Sequence, residues 1–401
     1  MADLGAADVV VVGAGMVGAA TAYFAARAGL RVVVLDRGTV AGGTTSGGEG
    51  NILVSDKEPG PELDLALRSQ RLWLQLAEEL GAEGFELEAK GGLVVTATDA
   101  GLHGLRELAA EQRRHGVEAV EIAAADLPDH EPHLARDLAG GVLYPQDLQV
   151  MPVLAAARLL EAARDLGAVV HTGVEVTGAS TGPGGSLTGV TTTRGSIATP
   201  AVVNAAGTWG GEVSARLGAP VPVLPRRGFI LVTEPLPRVV RHKVYDADYV
   251  ANVASSQEGL ETSAVIEGTR AGTVLIGASR ERVGFDRTLS VPVLRRLAAQ
   301  AVRLFPVLAD VAVMRAYRGF RPYCPDHLPI VGADARAPGV FHACGHEGAG
   351  IGLSAATGEA LAALLTQQSP ALDLSPFSPA RFAGSGDSSD SVSLTAGGTT
   401  G

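Results

Sequence analysis

The start of the chain shows the apolar pattern of a buried strand, a turn, a helix and a second strand. Residues 8–12 form a continuous apolar run, as expected of a strand that is buried on both faces of a sheet. Glycines occupy positions 13, 15 and 18 of a turn, an Ala-rich helical segment covers residues 16–28, and a second strand is predicted at residues 31–35. This order predicts a β–turn–α–β unit.

The rest of the pattern predicts a β-rich block inserted between two α/β regions. Helical periodicity marks residues 63–80, 99–115, 152–166, 292–304 and 350–365. Strand-like patterns mark residues 91–96, 168–179, 187–193, 195–204, 311–320, 330–332 and 340–343, with a β-rich block at 221–290. Glycines at 182–185 predict a hairpin turn. We therefore expect an α/β fold in which one domain is built from discontinuous segments and carries a second, antiparallel β-rich domain.

Composition and charge narrow the class of protein. The chain has 401 residues, of which 46% are hydrophobic, and a formal net charge of −11 without a cluster of Lys or Arg. Nucleic acid and anionic membranes are therefore poor partners. The first residues lack a secretory signal, and no apolar run approaches the roughly 20 residues of a membrane span. We expect a cytoplasmic protein.

The only two cysteines, Cys324 and Cys344, provide neither a disulfide framework nor the spacing of metal ligands. No metal site is predicted, and both thiols are expected to be packed in the interior. Two cysteines also cannot hold an iron–sulfur cluster through four thiolates.

The turn at residues 13–18 has the sequence G-x-G-x-x-G. Gly13 permits the sharp turn, Gly15 lets a pyrophosphate approach the backbone, and Gly18 lets the helix pack against the strand. Asp36 ends the second strand about 20 residues later, where an acid binds a ribose hydroxyl in dinucleotide-binding folds. The alternative is a tight turn without a ligand, and the pattern alone does not separate NAD from FAD.

Four further segments resemble the D-amino-acid-oxidase-like flavoproteins, which share a glutathione-reductase-type FAD-binding fold. They occur in the family's order. The first is Asp36-Arg37-Gly38 with the glycine-rich stretch 42–47, and the second is Val203-Asn204-Ala205-Ala206-Gly207-Thr208-Trp209. The third is Gly319-Phe320-Arg321-Pro322 with Pro325-Asp326, and the fourth is the stretch 345–352 with Ala356-Thr357-Gly358. The resemblance implies FAD rather than NAD. It also implies an FAD-binding domain at 1–85, 145–218 and 315–383 and a substrate-binding domain at 86–144 and 219–314. The Ser-, Gly-, Thr- and Asp-rich composition of residues 384–401 predicts a disordered tail.

The resemblance assigns a set of residues to the cofactor. They are Gly13, Gly15, Met16, Val17, Gly18, Asp36, Arg37, Gly43, Thr44, Thr45, Ser46, Val176, Ala206, Gly207, Trp209, Gly348, Ala349, Gly350 and Ile351. Residues 174–176 would face an adenine edge, or else form an ordinary strand. The glycine-rich turn at 345–352 would place helix N–H groups near the flavin; its alternative is a turn without a ligand. Non-covalent FAD is implied because Gly319 stands near the position where monomeric sarcosine oxidases attach FAD through a cysteine.

Arg321 is the expected substrate-binding residue. Glycine oxidases and D-amino-acid oxidases use an Arg in the matching G-x-R-P motif to bind the substrate carboxylate, and a guanidinium suits two carboxylate oxygens. Arg321 paired with Asp326 is the structural alternative. Tyr317 shares the face of Arg321 in an extended strand, and is either a pocket residue or core.

His346 is either catalytic or a positioning hydrogen-bond partner. Tyr245 and Tyr249 lie in the β-rich block, where substrate-covering residues usually sit, but no pattern places them.

The resemblance is greatest to β subunits of dehydrogenases acting on hydroxyproline or opines, and of cyanide synthases. It implies oxidation of the C–N bond of a small amino or imino acid, with hydride passing from Cα to flavin N5 and an imine as product, without a dedicated general base. FAD- or iron–sulfur-carrying partner subunits would then accept the electrons. The alternatives are a stand-alone glycine, sarcosine or D-amino-acid oxidase that produces hydrogen peroxide, and an idle flavin-binding subunit. Residues 49–51 depart from the family's order in the loop that faces the flavin.

Overall fold

The computed structural model describes residues 3–253 and 256–382. The tail predicted at 384–401 lies outside this part of the chain. The helices are α1 (Met16–Arg27), α2 (Pro61–Leu80), α3 (Asp99–Arg114), α4 (Leu127–His130), α5 (Pro152–Asp165), α6 (Gly210–Arg216), α7 (Ala247–Val253), α8 (Val291–Leu304) and α9 (Gly350–Leu365).

Twenty strands are formed by the described residues. They are β1 (Asp3–Ala6), β2 (Val9–Val12), β3 (Val32–Asp36), β4 (Asn51–Ile52), β5 (Gly92–Thr96), β6 (Val120–Ala123), β7 (Gly140–Tyr144), β8 (Leu148–Gln149), β9 (Val169–Thr172), β10 (Val176–Thr181), β11 (Leu187–Thr192), β12 (Gly195–Ala198), β13 (Val202–Asn204), β14 (Leu224–Thr233), β15 (Lys243–Asp246), β16 (Glu261–Gly268), β17 (Val274–Arg280), β18 (Val313–Tyr323), β19 (Ile330–Ala333) and β20 (Val340–Cys344).

A six-stranded sheet positions the functional turns. Its strand order is β19-β20-β13-β2-β3-β9, and every neighbouring pair is parallel except β19 and β20. The carboxyl ends of parallel strands meet at one edge, which is where α/β sheets bind their ligands. The turns after β2, β3, β13 and β20 therefore lie side by side.

The alternation of side chains along β2 places this sheet between two layers. Val9 and Val11 pack into the core with α1, α2, α5 and α9, whereas Val10 and Val12 pack against the four-stranded sheet β1-β12-β11-β10. A strand that is apolar on both faces is thus buried on both faces, as its sequence predicts.

The second large sheet has eight strands in the order β18-β14-β17-β16-β15-β5-β7-β6, and most neighbouring pairs are antiparallel. One face packs against α8 through Phe229 and Leu231 of β14. Gly228 and Ile230 of the same strand point the other way and line a cleft. The predicted fold class, a Rossmann-like domain with a β-rich domain, is confirmed.

Two predicted strands are each divided between two sheets. The segment predicted at 168–179 breaks at Gly173, whose φ of +67° is unfavourable for other residues, and continues as β9 and β10. The segment predicted at 195–204 breaks around Pro200 into β12 and β13. The hairpin turn at 182–185 is confirmed, since β10 and β11 are antiparallel neighbours on either side of it.

The predicted domain limits stay a proposal. The predicted FAD-binding segment begins at residue 315, within β18, and β18 pairs with β14 in the eight-stranded sheet.

None of the helices within residues 3–253 and 256–382 combines the length and apolar character that a membrane span requires.

Helix α9 packs closely on α1 at Gly358. A Cβ at this position would lie 2.7 Å from the carbonyl carbon of Ala20. We expect Gly358→Ala to lower the free energy of unfolding by about 1–3 kcal/mol, because the backbone of α1 must move, despite the gain in helix propensity.

Gly104→Ala is the matched control, because Gly104 lies in α3 with open space around its missing Cβ. It should leave stability unchanged or raise it by up to about 1 kcal/mol. Urea unfolding of both variants checks this, and equal effects would contradict the close packing of α1 and α9.

Candidate active site

A cleft with a volume of about 460 Å³ lies between the carboxyl edge of the six-stranded sheet and the eight-stranded sheet. Its walls include the turns after β2, β3, β13 and β20, together with residues of β14 and β18. Dinucleotide and substrate sites in α/β folds occupy this kind of crevice.

The G-x-G-x-x-G turn forms one end of the cleft. Gly13 has φ of +114° and leaves no room for a side chain beside the backbone of Ala205, and Gly18 packs on the carbonyl of Gly13. Gly15 lines the cleft and has an ordinary φ of −80°. The backbone N–H of Met16 donates to Oγ1 of Thr45 at 2.9 Å. Gly13 and Gly18 therefore have the turn and packing roles that the sequence predicts, and the role of Gly15 toward a pyrophosphate stays a prediction.

Asp36 ties the end of β3 to this turn. Its Oδ2 accepts a hydrogen bond from the N–H of Ala14 at 2.8 Å, and its Oδ1 accepts one from Gly38 at 2.7 Å. A carboxylate has about four acceptor positions, so Asp36 can still accept bonds from a ligand in the cleft.

The loop after β3 packs on the turn after β13. The guanidinium of Arg37 lies 4.4 Å from the ring centroid of Trp209, and a Cβ on Gly43 would come within 2.9 Å of the same ring. The hydroxyl of Thr44 donates to the carbonyl of Phe320 at 3.0 Å. These contacts join the six-stranded sheet to β18 along one wall of the cleft.

The segment predicted to face an adenine also lines the cleft. Val176 is buried, and its carbonyl accepts a bond from the Arg216 guanidinium at 3.0 Å. Arg216 also pairs with Glu175 at 2.6 Å. Both charged residues line this end of the cleft, where they fix the backbone of β10.

The turn between β20 and α9 forms the opposite end. Gly345 and Glu347 have positive φ values of +76° and +46°. Gly348, Gly350 and Ile351 line the cleft, so the N-terminal turn of α9 points its unpaired backbone N–H groups toward it.

His346 lies in this turn and is buried. Its Nε2 is 3.1 Å from Oγ1 of Thr357 in α9. Burial lowers the pKa of His346 to about 4, so the ring is neutral at pH 7. These features favour the positioning hydrogen bond over a role as a cationic acid.

Arg321 lies on the cleft-facing side of β18. Its Nη1 donates to the carbonyl of Ser279 at 2.8 Å, and Gly228 on the facing strand leaves room for the guanidinium. Asp326, the alternative partner, instead pairs with Arg381 at 2.6 Å. Among the described residues, no carboxylate comes within 4.0 Å of Arg321, and the guanidinium lines the cleft.

Most of the predicted cofactor residues line the cleft, and four predicted site residues do not. Gly18 lies behind the turn, Ser46 bonds to the carbonyl of Gly43, Ala349 borders a small second cavity, and Tyr317 donates to the carbonyl of Gly48 at 3.1 Å. Of the two tyrosines that no pattern placed, Tyr249 lines the cleft, whereas Tyr245 is fully buried against Ser55.

The structure adds lining residues that sequence patterns did not identify. They include Glu49, Asn51, Gly228, Ile230 and Arg287. Glu49 and Asn51 belong to the segment that departs from the family's order, which was the one available signal. Gly228 and Ile230 carry the alternation of a strand with one face on a cavity.

The residues present fit an FAD molecule. Two glycine turns and the N-termini of α1 and α9 meet at one cleft, and Val17 of α1 lies next to Gly350 of α9. Asp36, the residue predicted to bind a ribose hydroxyl, lines the same cleft. No cysteine lines the cleft, because Cys324 and Cys344 are buried elsewhere, and Gly319 is packed against Gly47. The cofactor is therefore held without a covalent bond to the chain.

We expect Gly15→Val to abolish FAD retention while the protein still folds. The backbone of Gly15 accommodates a side chain, and the nearest obstacle is the hydroxyl of Thr45 at 3.1 Å from the added Cβ. The valine instead fills the space that a pyrophosphate requires. The measurement is the FAD-to-protein ratio after gel filtration, with Gly104→Ala as the control that keeps its flavin. A Gly15→Val protein with full flavin content would contradict the site.

Comparison with known proteins agrees with this geometry. The chain is 32% identical to the hydrogen cyanide synthase subunit HcnC of Pseudomonas aeruginosa, over 94% of this chain and 96% of that protein. It is 31% identical to the glycine oxidase of Geobacillus kaustophilus, over 94% of this chain and 97% of that enzyme.

The crystal structure of the Geobacillus kaustophilus glycine oxidase superimposes with a TM-score of 0.84 at 30% identity, covering 93% of this chain and 98% of that chain. The L-proline dehydrogenase of P. horikoshii shares the fold, with a TM-score of 0.86 at 24% identity over 94% and 98% of the two chains. The model of the DAO family, described as FAD dependent oxidoreductase, matches residues 8–364. The chain belongs to this family of FAD-dependent oxidoreductases.

Proposed function

We propose that this protein oxidises the C–N bond of a small amino or imino acid. The observation that carries the proposal is the guanidinium of Arg321, which lines the FAD cleft and has no carboxylate partner among the described residues. A buried or half-buried cation without a counter-charge is costly. A substrate carboxylate that enters the cleft would supply the missing charge through two parallel hydrogen bonds.

The walls around Arg321 favour a small substrate. Gly228 and Gly319 face each other across β14 and β18 and contribute no side chains, while Ile230 and Tyr249 supply apolar surface. The carbonyl of Ser279 accepts a hydrogen bond from the guanidinium, and Gly348 leaves space beside its Nε.

The chain's own contribution to the reaction is then orientation and electrostatics. Arg321 fixes the carboxylate, so the neighbouring carbon and nitrogen must lie toward the interior of the cleft. When bound, FAD supplies the two-electron acceptor for the oxidation. The N-terminal turn of α9 presents N–H groups that stabilise negative charge, whereas His346, which is neutral at pH 7, contributes no net charge of its own.

We further propose that the protein is a dehydrogenase β subunit of the hydroxyproline or opine type. Similarity to a cyanide synthase subunit supports an enzyme with partner subunits that accept the electrons. Similarity to a glycine oxidase supports the second candidate, a stand-alone oxidase that produces hydrogen peroxide.

Arg321→Ala should raise KM for the amino acid about 30-fold or more, because hydrogen bonds to a charged group of about 2 kcal/mol are lost. Flavin content should stay at the wild-type level. Arg321→Lys is the informative comparison: it keeps the charge but not the planar fork, and should recover only part of the loss. Steady-state kinetics check both variants, and unchanged KM in Arg321→Ala would remove Arg321 from the substrate site.

Oxygen reactivity separates the two candidates. We expect the purified chain to produce little hydrogen peroxide with linear or cyclic amino acids, and to turn over when an artificial electron acceptor replaces oxygen. Peroxide formed in a one-to-one ratio with substrate would instead establish the stand-alone oxidase.

A further inference from the structure

A buried carboxylate faces the same cleft as Arg321. Glu49 follows the glycine-rich loop after β3, and its side chain is only 4% exposed. Its Oε2 lies 3.4 Å from Nδ2 of Asn51 and 3.8 Å from Nζ of Lys243. Its Oε1 is buried and receives no hydrogen bond from any residue that the structure describes. Buried polar atoms are normally hydrogen-bonded, so we expect a ligand in the cleft to donate a hydrogen bond to this carboxylate oxygen.

Glu49 shares its nearest ammonium group with a second carboxylate. Lys243 is shared by two carboxylates, and it lies closer to Glu267, at 2.7 Å, than to Glu49. All three side chains are at most 4% exposed, so water does not screen them. Because Glu267 takes the closer contact with Lys243, Oε1 of Glu49 is left without a donor and can accept one from a cationic ligand.

Glu49 and Arg321 border the same short stretch of β17. A Cβ on Gly277 would lie 2.6 Å from Oε1 of Glu49, and the carbonyl of Ser279 holds Nη1 of Arg321. The two charges also act on each other through space, since Arg321 lowers the pKa of Glu49. A ligand that contacts both Glu49 and Arg321 is therefore only a few atoms long. Its anionic group lies at Arg321 and its cationic group at Glu49.

We propose that Glu49 binds the α-nitrogen of the substrate through Oε1 and accepts its proton, while Arg321 binds the carboxylate. This inference rests on the proposed amino-acid oxidation. The proton step breaks one N–H bond of the ammonium and forms one O–H bond on Glu49, giving a neutral amine and a neutral carboxylic acid. The freed lone pair on nitrogen can then assist loss of hydride from the neighbouring carbon.

Burial suits Glu49 to this role. Desolvation is the main cause that raises the pKa of Glu49 above its ordinary value, with Glu267 adding to it and Lys243 opposing it. A raised pKa makes the carboxylate a better proton acceptor. The other titratable groups that sense its charge are Arg321 and Tyr317 on β18, and Tyr249 on α7.

A pair of matched ligands tests the assignment on the FAD-loaded protein. 2-Aminoisobutyrate has no hydrogen on its α-carbon and cannot be oxidised there, and isobutyrate is the same acid without nitrogen. Titration calorimetry gives the affinity of both for the wild type, for Glu49→Gln and for the control Glu107→Gln, whose exposed side chain lies on α3.

Glu49→Gln should weaken binding of 2-aminoisobutyrate about tenfold or more and leave binding of isobutyrate within about twofold. Glu107→Gln should change neither. Equal losses for both ligands in Glu49→Gln, or no loss for 2-aminoisobutyrate, would overturn the assignment.

The pH dependence in the wild type provides a second test that needs no variant. Affinity for 2-aminoisobutyrate should rise with pH as Glu49 ionises, because only the carboxylate attracts the ammonium. Above about pH 6, where isobutyrate is itself fully ionised, its affinity should not rise. Parallel pH profiles would overturn the assignment even if Glu49→Gln does not fold.

The outcomes also separate this inference from the proposed function. If the protein oxidises amino acids but Glu49→Gln affects the affinities for 2-aminoisobutyrate and isobutyrate equally, the role of Glu49 is contradicted and the proposed function is not. Discrimination without turnover of any amino acid would leave Glu49 as a binding partner of the amine and would overturn both the proposed oxidation and the proton transfer. A wild-type protein that binds neither ligand would overturn both.

Discussion

The close approach of backbone to backbone at the carboxyl edge of the six-stranded sheet is the constraint on which the site depends. Gly13 lies against the carbonyl of Ala205 so tightly that any side chain would displace one of the two strands. This contact brings the turn after β2 next to the turn after β13. The N-termini of α1 and α9 then open onto one cleft, and their backbone N–H groups face a common ligand.

The second sheet contributes the chemistry that the first lacks. Gly228 of β14 leaves the room that the guanidinium of Arg321 occupies, and Gly319 of β18 lets that strand pack against the backbone of Gly47. Glu49 reaches the same space from the loop after β3. The cleft thus offers N–H groups for a cofactor at one wall and opposite charges for a small zwitterion at the other.

Sequence patterns correctly predicted those elements of the site whose conformation depends on neighbouring residues in the chain. The glycine spacing at 13–18 and the apolar run at 8–12 specify a strand, a turn and a helix without help from the rest of the chain, and Arg321 was identified by resemblance on one short motif. The strand breaks at Gly173 and Pro200 were missed, because each segment remains extended and only changes sheets. Tertiary partners decide such changes.

The cluster of Glu49, Lys243 and Glu267 could not be predicted for the same reason. Its members come from a loop, β15 and β16, and no pattern in sequence links residues about 200 positions apart. Burial turns three ordinary charges into an arrangement with one oxygen left for a ligand. The departure from the family's residue order at 49–51 indicated that this loop is unusual, but it did not predict a buried carboxylate that faces the cleft.

The central claim is that an amino or imino acid, held by Arg321, reduces FAD bound in this cleft. The most direct measurement is the visible absorbance of the bound flavin under anaerobic conditions, during addition of a panel of D-, L- and N-methyl amino acids and cyclic imino acids. The account predicts that at least one small member of the panel bleaches the flavin fully. Flavin-saturated protein that keeps its colour against the whole panel would contradict it.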